Sequence, residues 1–206
     1  MSQYFEIHPT HPQKRLLTRA AEILRSGGLI VYPTDTSYAL GCHIGDKRAL
    51  DRIEALRRLD KGHRFTLACR DLSEIATYAR VDKTQYRILK HYTPGPFTFI
   101  LTASRETPRR LVNEKRRTIG IRVPDHAVVR ELLEVVGEPI MTTTLRLAGD
   151  DLPMTEPQEM RDRLEHQVDL VIDSGRGGVE STTLVDLTAS EPVVERQGVG
   201  RYTAGP

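Results

Sequence analysis

The sequence predicts an α/β fold in which helices flank a single twisted, mixed sheet whose strands are partly parallel. Helical and strand patterns alternate through the first two-thirds of the chain, whereas strand patterns cluster near its end. The 206 residues contain no internal repeat, low-complexity tract or linker rich in Pro, Gly and Ser. We therefore expect one domain that spans residues 1–206.

Six helices are predicted from apolar spacing and capping residues. The first follows a capping box at residues 10–13 and ends at Gly27 and Gly28. Asp46 caps the second helix, which runs through Leu59. The other four are a short helix after a capping box at residues 71–74, then residues 84–92, residues 127–136 and, after a box at residues 155–158, residues 160–164.

Eight strands are predicted between and after these helices. Each is a short apolar run bounded by turn residues, which is typical of a buried strand. The runs cover residues 30–32, 65–69, 97–101, 119–123, 140–143, 170–172, 183–187 and 193–196.

The segment from Gly28 to Gly41 is the most informative part of the chain. Its strand stops at Pro33, which lacks the N–H that a sheet ladder needs. Four residues with hydroxyl groups follow, namely Thr34, Thr36, Ser37 and Tyr38. A polar turn held by local hydroxyl-to-backbone bonds is one explanation. We favour a ligand pocket, because α/β proteins usually bind small molecules where strands end.

The composition is that of an ordinary water-soluble protein, with 38% hydrophobic and 28% charged residues. No apolar run approaches the ~20 residues that cross a bilayer, and the N-terminus lacks the features of a signal peptide. Cys42 and Cys69 have no zinc-type spacing and are predicted to be buried free thiols. These features predict a cytoplasmic location and no membrane partner.

The formal net charge is only +2, but the charges are unevenly distributed. Residues 104–122 hold seven cations and two acids, and a second basic stretch covers residues 48–70. Residues 150–195 hold twelve acids and three arginines. Two basic stretches predict an anionic partner on one face, although a solvated surface is the alternative for either stretch alone.

Standard catalytic and nucleotide-binding motifs are missing. The chain has neither a Gly-x-x-x-x-Gly-Lys loop nor a Gly-x-Gly-x-x-Gly motif between a strand and a helix. No serine lies in a nucleophile elbow, and none of the seven histidines forms a paired metal motif. The sequence therefore predicts no protein-ligated metal.

Hydroxyls and arginines recur instead at the predicted strand ends. One predicted strand ends in a run of three threonines whose last member is Thr144. Ser181 follows a Gly-Gly pair that permits close approach of a ligand, and Arg196 is the last residue of another predicted strand. Arg122 lies within an otherwise apolar strand. Because a buried arginine needs an anion, Arg122 indicates either a bound ligand or a structural ion pair with an unseen carboxylate.

Six segments, in order, resemble the YrdC/YciO family, whose founding activity is synthesis of threonylcarbamoyl-AMP for tRNA modification. They cover residues 32–41, 92–99, 119–124, 142–144, 178–183 and 195–200. The Phe65-Thr-Leu run and the basic run from Arg109 to Arg117 resemble the YciO branch in particular. The resemblance implies a YrdC-like fold with a wide basic concavity suited to nucleotide and RNA.

The resemblance also implies three groups of site residues, although it assigns no single catalytic residue. The small-substrate end of the concavity would contain Thr34, Thr36, Tyr38, Arg122 and Ser181. The nucleotide end would contain Arg57, His63, Thr142, Thr144 and Arg196. RNA would contact Arg109, Arg110, Lys115, Arg116 and Arg117.

In the synthases of this family, threonine and bicarbonate form a carbamate whose oxygen attacks the α-phosphate of ATP and releases pyrophosphate. The resemblance therefore implies an ATP- or AMP-type nucleotide, with Mg²⁺ held through the phosphates rather than by a protein motif. The implied partners are tRNA or double-stranded RNA and, for a synthase, threonine, bicarbonate and ATP.

Two departures from the synthases affect the expected activity. Their Lys-x-Arg pair and a further Lys align with Arg57, Leu59 and His63, and their Ser-x-Asn becomes Thr144-Leu-Arg146. Loss of one charge-assisted contact costs ~1.5–3 kcal/mol, which a shifted cation could partly offset; the candidates are Lys61, Arg64 and Arg146.

Three functions remain open at this point. We favour a YciO-type enzyme that acts on threonylcarbamoyl-adenosine already present in tRNA. The alternatives are an active threonylcarbamoyl-AMP synthase and a non-catalytic RNA-binding protein, for which the basic stretches would suffice.

Overall fold

The computed structural model of the protein describes residues 1–59, 63, 65–113 and 115–203. Lys61 and Arg64, two of the candidate compensating cations, lie outside these described residues. The helices are α1 (Lys14–Arg25), α2 (Lys47–Arg57), α3 (Leu72–Tyr78), α4 (Lys83–Tyr92), α5 (Ala127–Val136), α6 (Pro157–Leu164) and a 3₁₀ helix (Arg109–Leu111). The strands are β1 (Gln3–Glu6), β2 (Ile30–Tyr32), β3 (Ala39–His43), β4 (Thr66–Ala68), β5 (Ala79–Arg80), β6 (Phe97–Ala103), β7 (Thr118–Arg122), β8 (Ile140–Thr144), β9 (Leu170–Asp173), β10 (Thr183–Asp186) and β11 (Val193–Arg196).

All of these strands belong to one sheet, in the order β1-β9-β2-β3-β8-β4-β7-β6-β10-β11, with β5 paired to β6. Strand β9 runs parallel to β1 and β2, and the pairs β4–β7 and β6–β10 are also parallel. The pairs β2–β3, β3–β8, β4–β8, β6–β7, β5–β6 and β10–β11 are antiparallel. The mixed, partly parallel sheet predicted from the sequence is therefore confirmed.

Two apolar clusters cover the two faces of the sheet. On one face, Leu24 of α1 and Leu132 of α5 pack with Ile140 of β8. On the other face, Ile53 of α2 belongs to a larger cluster with Phe99 of β6 and with residues of α3, α4 and α6. Both faces are thus packed against helices, as expected for an α/β protein.

Three helices begin at a capping aspartate. The carboxylate of Asp46 accepts from the N–H of Ala49, at 2.9 Å, as the sequence predicted. Asp71 caps α3 in the same way, and Asp82 caps α4 within a capping box. Helix α2 ends at Arg57, because Arg58 adopts the left-handed conformation that closes a helix.

The other two predicted capping boxes are wrong. Gln13 is the N-cap of α1 without a side-chain cap, because its side-chain oxygen accepts from the N–H of His8 instead. Glu156 precedes α6, also without a side-chain cap. The first helical residue there is Pro157, which has no N–H that needs a cap.

Strands β1, β3 and β5 were not predicted. Strand β1 is a half-exposed edge strand with polar ends, and β5 has only two residues, so neither has an apolar run. The apolar pattern of β3 is interrupted by Gly41, which lies against the ring of Tyr32; a Cβ there would be 2.6 Å from Cε1 of that ring. The segment that follows Pro33 is therefore a tight turn that returns as β3 beside β2.

Candidate functional site

A cavity of about 570 Å³ opens on the sheet face that α1 and α5 partly cover. Its floor is a row of neighbours across four strands: Thr142, Thr66, Gly120 and Ile100. Gly120 keeps this floor open, since a Cβ there would be only 3.0 Å from the hydroxyl oxygen of Thr66. The β-sheet thus supplies a rigid base for the site.

The turn after β2 and the loop after β9 form one wall of the cavity. A Cβ at Gly178 would lie 2.1 Å from the carbonyl oxygen of Thr36, so only glycine permits this contact. The sequence predicted that Gly177 and Gly178 allow a ligand to approach. Their close neighbours in the structure are instead Tyr38 and Thr36 of the protein itself.

Three of the five predicted small-substrate residues line the cavity: Thr36, Arg122 and Ser181. Thr34 is used within its own turn, where its hydroxyl donates to the carbonyl oxygen of Ser37 at 2.6 Å. The explanation of a polar turn therefore applies to Thr34.

Tyr38 also lies outside the cavity lining, because its ring is buried beside Gly177. Its hydroxyl donates to the carbonyl oxygen of Gly175 at 2.8 Å and accepts from the N–H of Ser174 at 3.0 Å. Burial raises the pKa of this phenol to about 12. Tyr38 therefore supports the loop of Gly177 and Gly178.

All five predicted nucleotide-binding residues line the same cavity, namely Arg57, His63, Thr142, Thr144 and Arg196. The guanidinium of Arg196 donates to the carbonyl oxygen of Thr182 at 3.0 Å, and its pKa is lowered by burial. The hydroxyl of Tyr32 donates to the hydroxyl of Thr142 at 2.6 Å, which fixes the orientation of that threonine. These groups come from distant parts of the chain and converge on one space.

Arg57 and Arg146 form a cationic corner of the cavity. The Nε of Arg57 donates to the carbonyl oxygen of Arg146 at 3.0 Å, and its Nη1 donates to the hydroxyl of Thr143. Burial, and secondarily the charge of Arg146, lower the pKa of Arg57 to about 10, so that Arg57 stays protonated at neutral pH. Among the described residues, no carboxylate lies within ion-pair distance of either arginine. Such a pair of unbalanced cations favours an anionic ligand.

A second recess of about 620 Å³ adjoins this corner. It shares Arg57, His63, Arg146 and Asp151 with the cavity and adds Leu59 and Gly149, among others. Leu59 packs partly against the apolar cluster and offers no charge to this recess. The two recesses therefore adjoin at Arg57, His63, Arg146 and Asp151.

Arg122 is paired with a carboxylate that the sequence did not identify. Its Nη2 donates to Oδ1 of Asp35, and the side chains are 9% and 10% exposed. Arg122 nevertheless lines the cavity, whereas Asp35 lies behind it. The two sequence explanations, an ion pair and a ligand-facing guanidinium, are therefore compatible in this structure.

Several cavity residues were missed by the sequence reasoning. Three of them are the threonines Thr66, Thr98 and Thr182. Two more, Leu152 and Val179, are exposed apolar residues at the margin of the cavity. Thr98 and Thr66 carried a usable signal, since Thr98 alternates with the buried Phe97 and Phe99 and Thr66 with the buried Phe65 and Leu67. Leu152 and Val179 lie in loops, where no periodicity exists to detect them.

The predicted RNA-binding cations are all exposed, but they do not form part of the cavity wall. Arg110 lies 3.5 Å from Asp51, and Arg109 and Arg110 line a separate pocket. Arg116 lies 3.3 Å from Asp186 and 3.4 Å from Glu195, and Glu195 is itself a cavity residue. The basic run therefore lies on a different surface and reaches the cavity margin through Arg116.

Within the described residues, no group of three or more His, Cys, Asp and Glu side chains is arranged to hold a metal ion. Cys42 and Cys69 are free and buried, as predicted. None of the helices in the described part of the chain has the length and apolarity that a membrane span requires.

A family model for Sua5, YciO and YrdC, described as telomere recombination, matches residues 22–198. The chain belongs to the Sua5/YciO/YrdC family. The YciO protein of Escherichia coli is 54% identical over 200 residues, which are 97% of each chain. The crystal structure of E. coli YciO matches with a TM-score of 0.94 over 98% of both chains. The YrdC-like fold and the similarity to the YciO branch are thus confirmed.

Threonylcarbamoyl-AMP synthases are more distant relatives. One from Chromobacterium violaceum is 33% identical over 142 residues, which are 68% of this chain and 73% of that protein. The structure of Pyrococcus abyssi Sua5 complexed with L-threonine shares the fold, with a TM-score of 0.87 at 24% identity. That match covers 96% of this chain and 58% of the Sua5 chain.

Proposed function

We propose that this protein binds an adenylate-type nucleotide in the cavity and acts as a YciO-type enzyme on threonylcarbamoyl-adenosine in tRNA. The observation that carries the proposal is the arrangement of the cavity, with uncompensated Arg57 and Arg146 at one corner and Arg122 among threonine hydroxyls elsewhere. Guanidinium groups bind phosphate and carboxylate oxygens, and both occur in a modified nucleotide that carries threonine.

The chemistry proposed is removal or exchange of the threonylcarbamoyl group. Water, for removal, or an amine, for exchange, would form a bond to the carbonyl carbon. The bond from that carbon to the adenine N6 would break, and N6 would take up the proton that the water or amine loses. The threonine hydroxyls of the cavity floor are suited to donate to the carbonyl oxygen as negative charge develops there. Arg122 is suited to bind the carboxylate of the threonyl part, with tRNA reaching the cavity across its exposed margin.

A second candidate is synthesis of threonylcarbamoyl-AMP from ATP, threonine and bicarbonate. The specific observation in its favour is Arg146, which supplies a second guanidinium beside Arg57 where Leu59 has no charge. A triphosphate would suit this cationic corner, with Mg²⁺ held through the phosphates.

One pair of assays tests the two candidates. Purified protein is incubated with tRNA that carries threonylcarbamoyl-adenosine, and the nucleosides are then quantified by mass spectrometry. A parallel mixture contains ATP, threonine, bicarbonate and Mg²⁺, and its pyrophosphate is measured. Loss of the modified nucleoside without pyrophosphate supports the first candidate, and rapid pyrophosphate release supports the second. RNA binding with neither reaction would leave the non-catalytic RNA-binding alternative.

Arg57→Ala is the diagnostic variant for either reaction, and Arg87→Ala on the exposed surface of α4 is its matched control. The first should lose most of the activity, whereas the second should keep it. Equal activity of both variants would contradict the assignment of the cavity as the site.

A further inference from the structure

A smaller pocket, separate from the cavity and from its adjoining recess, lies on the opposite face of the sheet from the cavity floor. Its volume is about 140 Å³, and it is formed by β3, β8, the start of α2 and the 3₁₀ helix. Met141 lines this pocket, whereas its neighbour Thr142 lines the cavity. Because successive side chains of a strand point to opposite faces, β8 lies between this pocket and the cavity floor at Thr142.

The floor of this pocket is apolar. Leu50, Leu111, Cys42 and Met141 all contribute to it, and each is at most 6% exposed. Burial raises the pKa of the Cys42 thiol to about 12, so that the sulfur is uncharged at neutral pH. Two polarisable sulfur groups and two leucines make a surface that favours a flat aromatic ring over a hydrated ion.

His43 borders the pocket, but the sheet register pairs it with Ile140, so its side chain lies on the other face of β3 from Cys42 and Met141. Its Nε2 lies 2.7 Å from Oε1 of Glu138, which holds the ring in place. A base in this pocket would therefore pack on the apolar floor rather than on the imidazole ring.

The rim of the pocket is cationic. Lys47, Arg109 and Arg110 line it and are exposed to solvent. Among the described residues, no carboxylate lies within ion-pair distance of Lys47 or Arg109.

The nearby acids have partners. The carboxylate of Asp46 accepts from the N–H of Ala49, Asp51 lies 3.5 Å from Arg110, and Glu138 lies beside His43. The rim therefore keeps positive charge that an anion could neutralise.

We propose that this pocket receives one unpaired base of an RNA chain, while Lys47 and Arg109 bind the phosphates on either side of that base. The inference rests on the proposed function only in taking RNA as the partner. The pocket has about a quarter of the volume of the cavity, which suits a base without its sugar and phosphate. The sugar and phosphate of that nucleotide then lie at the cationic rim, where a further phosphate of the RNA can reach Arg110.

The test is fluorescence anisotropy with a labelled single-stranded RNA and with the same RNA lacking one base. Leu50→Phe fills the pocket and should weaken binding of the complete RNA by about 2- to 12-fold, the range for one sulfur–aromatic contact. It should leave binding of the abasic RNA unchanged. Arg109→Ala should weaken the binding of both RNAs. It should also reduce the slope of log Kd against the logarithm of the salt concentration by ~0.7, the value for one phosphate contact of a single strand. The matched control is Arg87→Ala, which removes an exposed arginine of α4 and should change neither the affinity for either RNA nor its salt dependence.

Equal affinity for the complete and abasic RNAs would overturn the proposal. It would also be overturned if a blunt duplex of the same charge, which has no unpaired base, bound as tightly as the complete single-stranded RNA. Should Leu50→Phe fail to fold, the parent protein's affinities for the complete and abasic RNAs still test the base pocket, and Lys47→Ala at the exposed rim should weaken binding of both RNAs. The cavity is tested separately by melting shifts with ATP. A cavity that binds no nucleotide would count against the proposed function and would not alter the anisotropy result.

Discussion

Arg122 and Asp35 form a buried ion pair that leaves one polar atom of each residue without a partner. Nη2 of Arg122 donates to Oδ1 of Asp35, whereas Nε of Arg122 and Oδ2 of Asp35 are buried and make no hydrogen bond among the described residues. A buried donor without a partner costs free energy. Because Arg122 lines the cavity, an oxygen of a bound carboxylate or phosphate is a suitable partner for the Nη donors of its guanidinium that Asp35 does not engage.

Asp35→Ala should destabilise the fold by about 3–5 kcal/mol, since removal of one partner leaves a buried charge uncompensated. The measurement is the free energy of unfolding from urea denaturation. The control is Glu22→Gln, which breaks the exposed pair between Arg19 and Glu22 and should cost only ~0.2–1 kcal/mol. Similar losses in the two variants would show that Asp35 does not compensate Arg122.

Most of the sheet could be predicted from the sequence because its strands are short apolar runs. Strand β2 was predicted with its observed bounds, and β8 was predicted to within one residue. The missed strands β1 and β5 lack that pattern, since pairing with a neighbour defines them more than their own residues do. The two false capping boxes failed for local reasons, because Gln13 bonds to the preceding loop and α6 begins at Pro157, which has no N–H to cap.

Part of the candidate site was predicted from hydroxyls and arginines at strand ends, whereas Arg57 and His63 were implied only by the resemblance to the YrdC/YciO family. What the sequence could not supply is which groups meet in space. Asp35 and Arg122 are 87 positions apart, and nothing local identifies Asp35 as the partner. Conversely, Thr34 and Tyr38 have the same hydroxyl chemistry as Thr36, yet their bonds to Ser37 and Gly175 direct them away from the cavity.

The two cysteines should not react with Ellman's reagent while the protein is folded. Burial raises the pKa of Cys42 to about 12 and that of Cys69 well above its ordinary value, so that almost no thiolate is present at pH 8. We expect both thiols to be titrated in urea and neither in native buffer. Rapid labelling of one thiol in the native protein would contradict the burial of that residue.

His126 should make the protein less stable in mild acid. Burial lowers its pKa below the ordinary value of about 6.5, an effect that Asp35 and Asp125 oppose only in part. Between the lower pKa of His126 in the folded state and its pKa of ~6.5 in the unfolded state, the unfolded state binds more protons. The stabilising contribution of neutral His126 is therefore complete above pH ~6.5 and is lost as the pH falls through the folded-state pKa.

The check is His126→Asn, because asparagine retains an acceptor for the N–H of Val128 at the start of α5. Urea unfolding of both proteins is compared at pH 7.5 and pH 5.5. The variant should lose less stability than the parent between these values. An identical loss in both would show that other groups are responsible.

The cationic corner predicts opposite effects of two substitutions on ATP binding. Arg146→Ala removes one charge-assisted contact and should weaken binding by about ten- to a hundredfold, equivalent to ~1.5–3 kcal/mol. Leu59→Lys adds a cation to the adjoining recess and should strengthen binding in the presence of Mg²⁺. Isothermal titration calorimetry measures both, with Arg87→Ala as the control that should match the parent protein. Weaker binding by Leu59→Lys would indicate that the phosphates do not lie in this recess, because an added positive charge near them can only favour the anion.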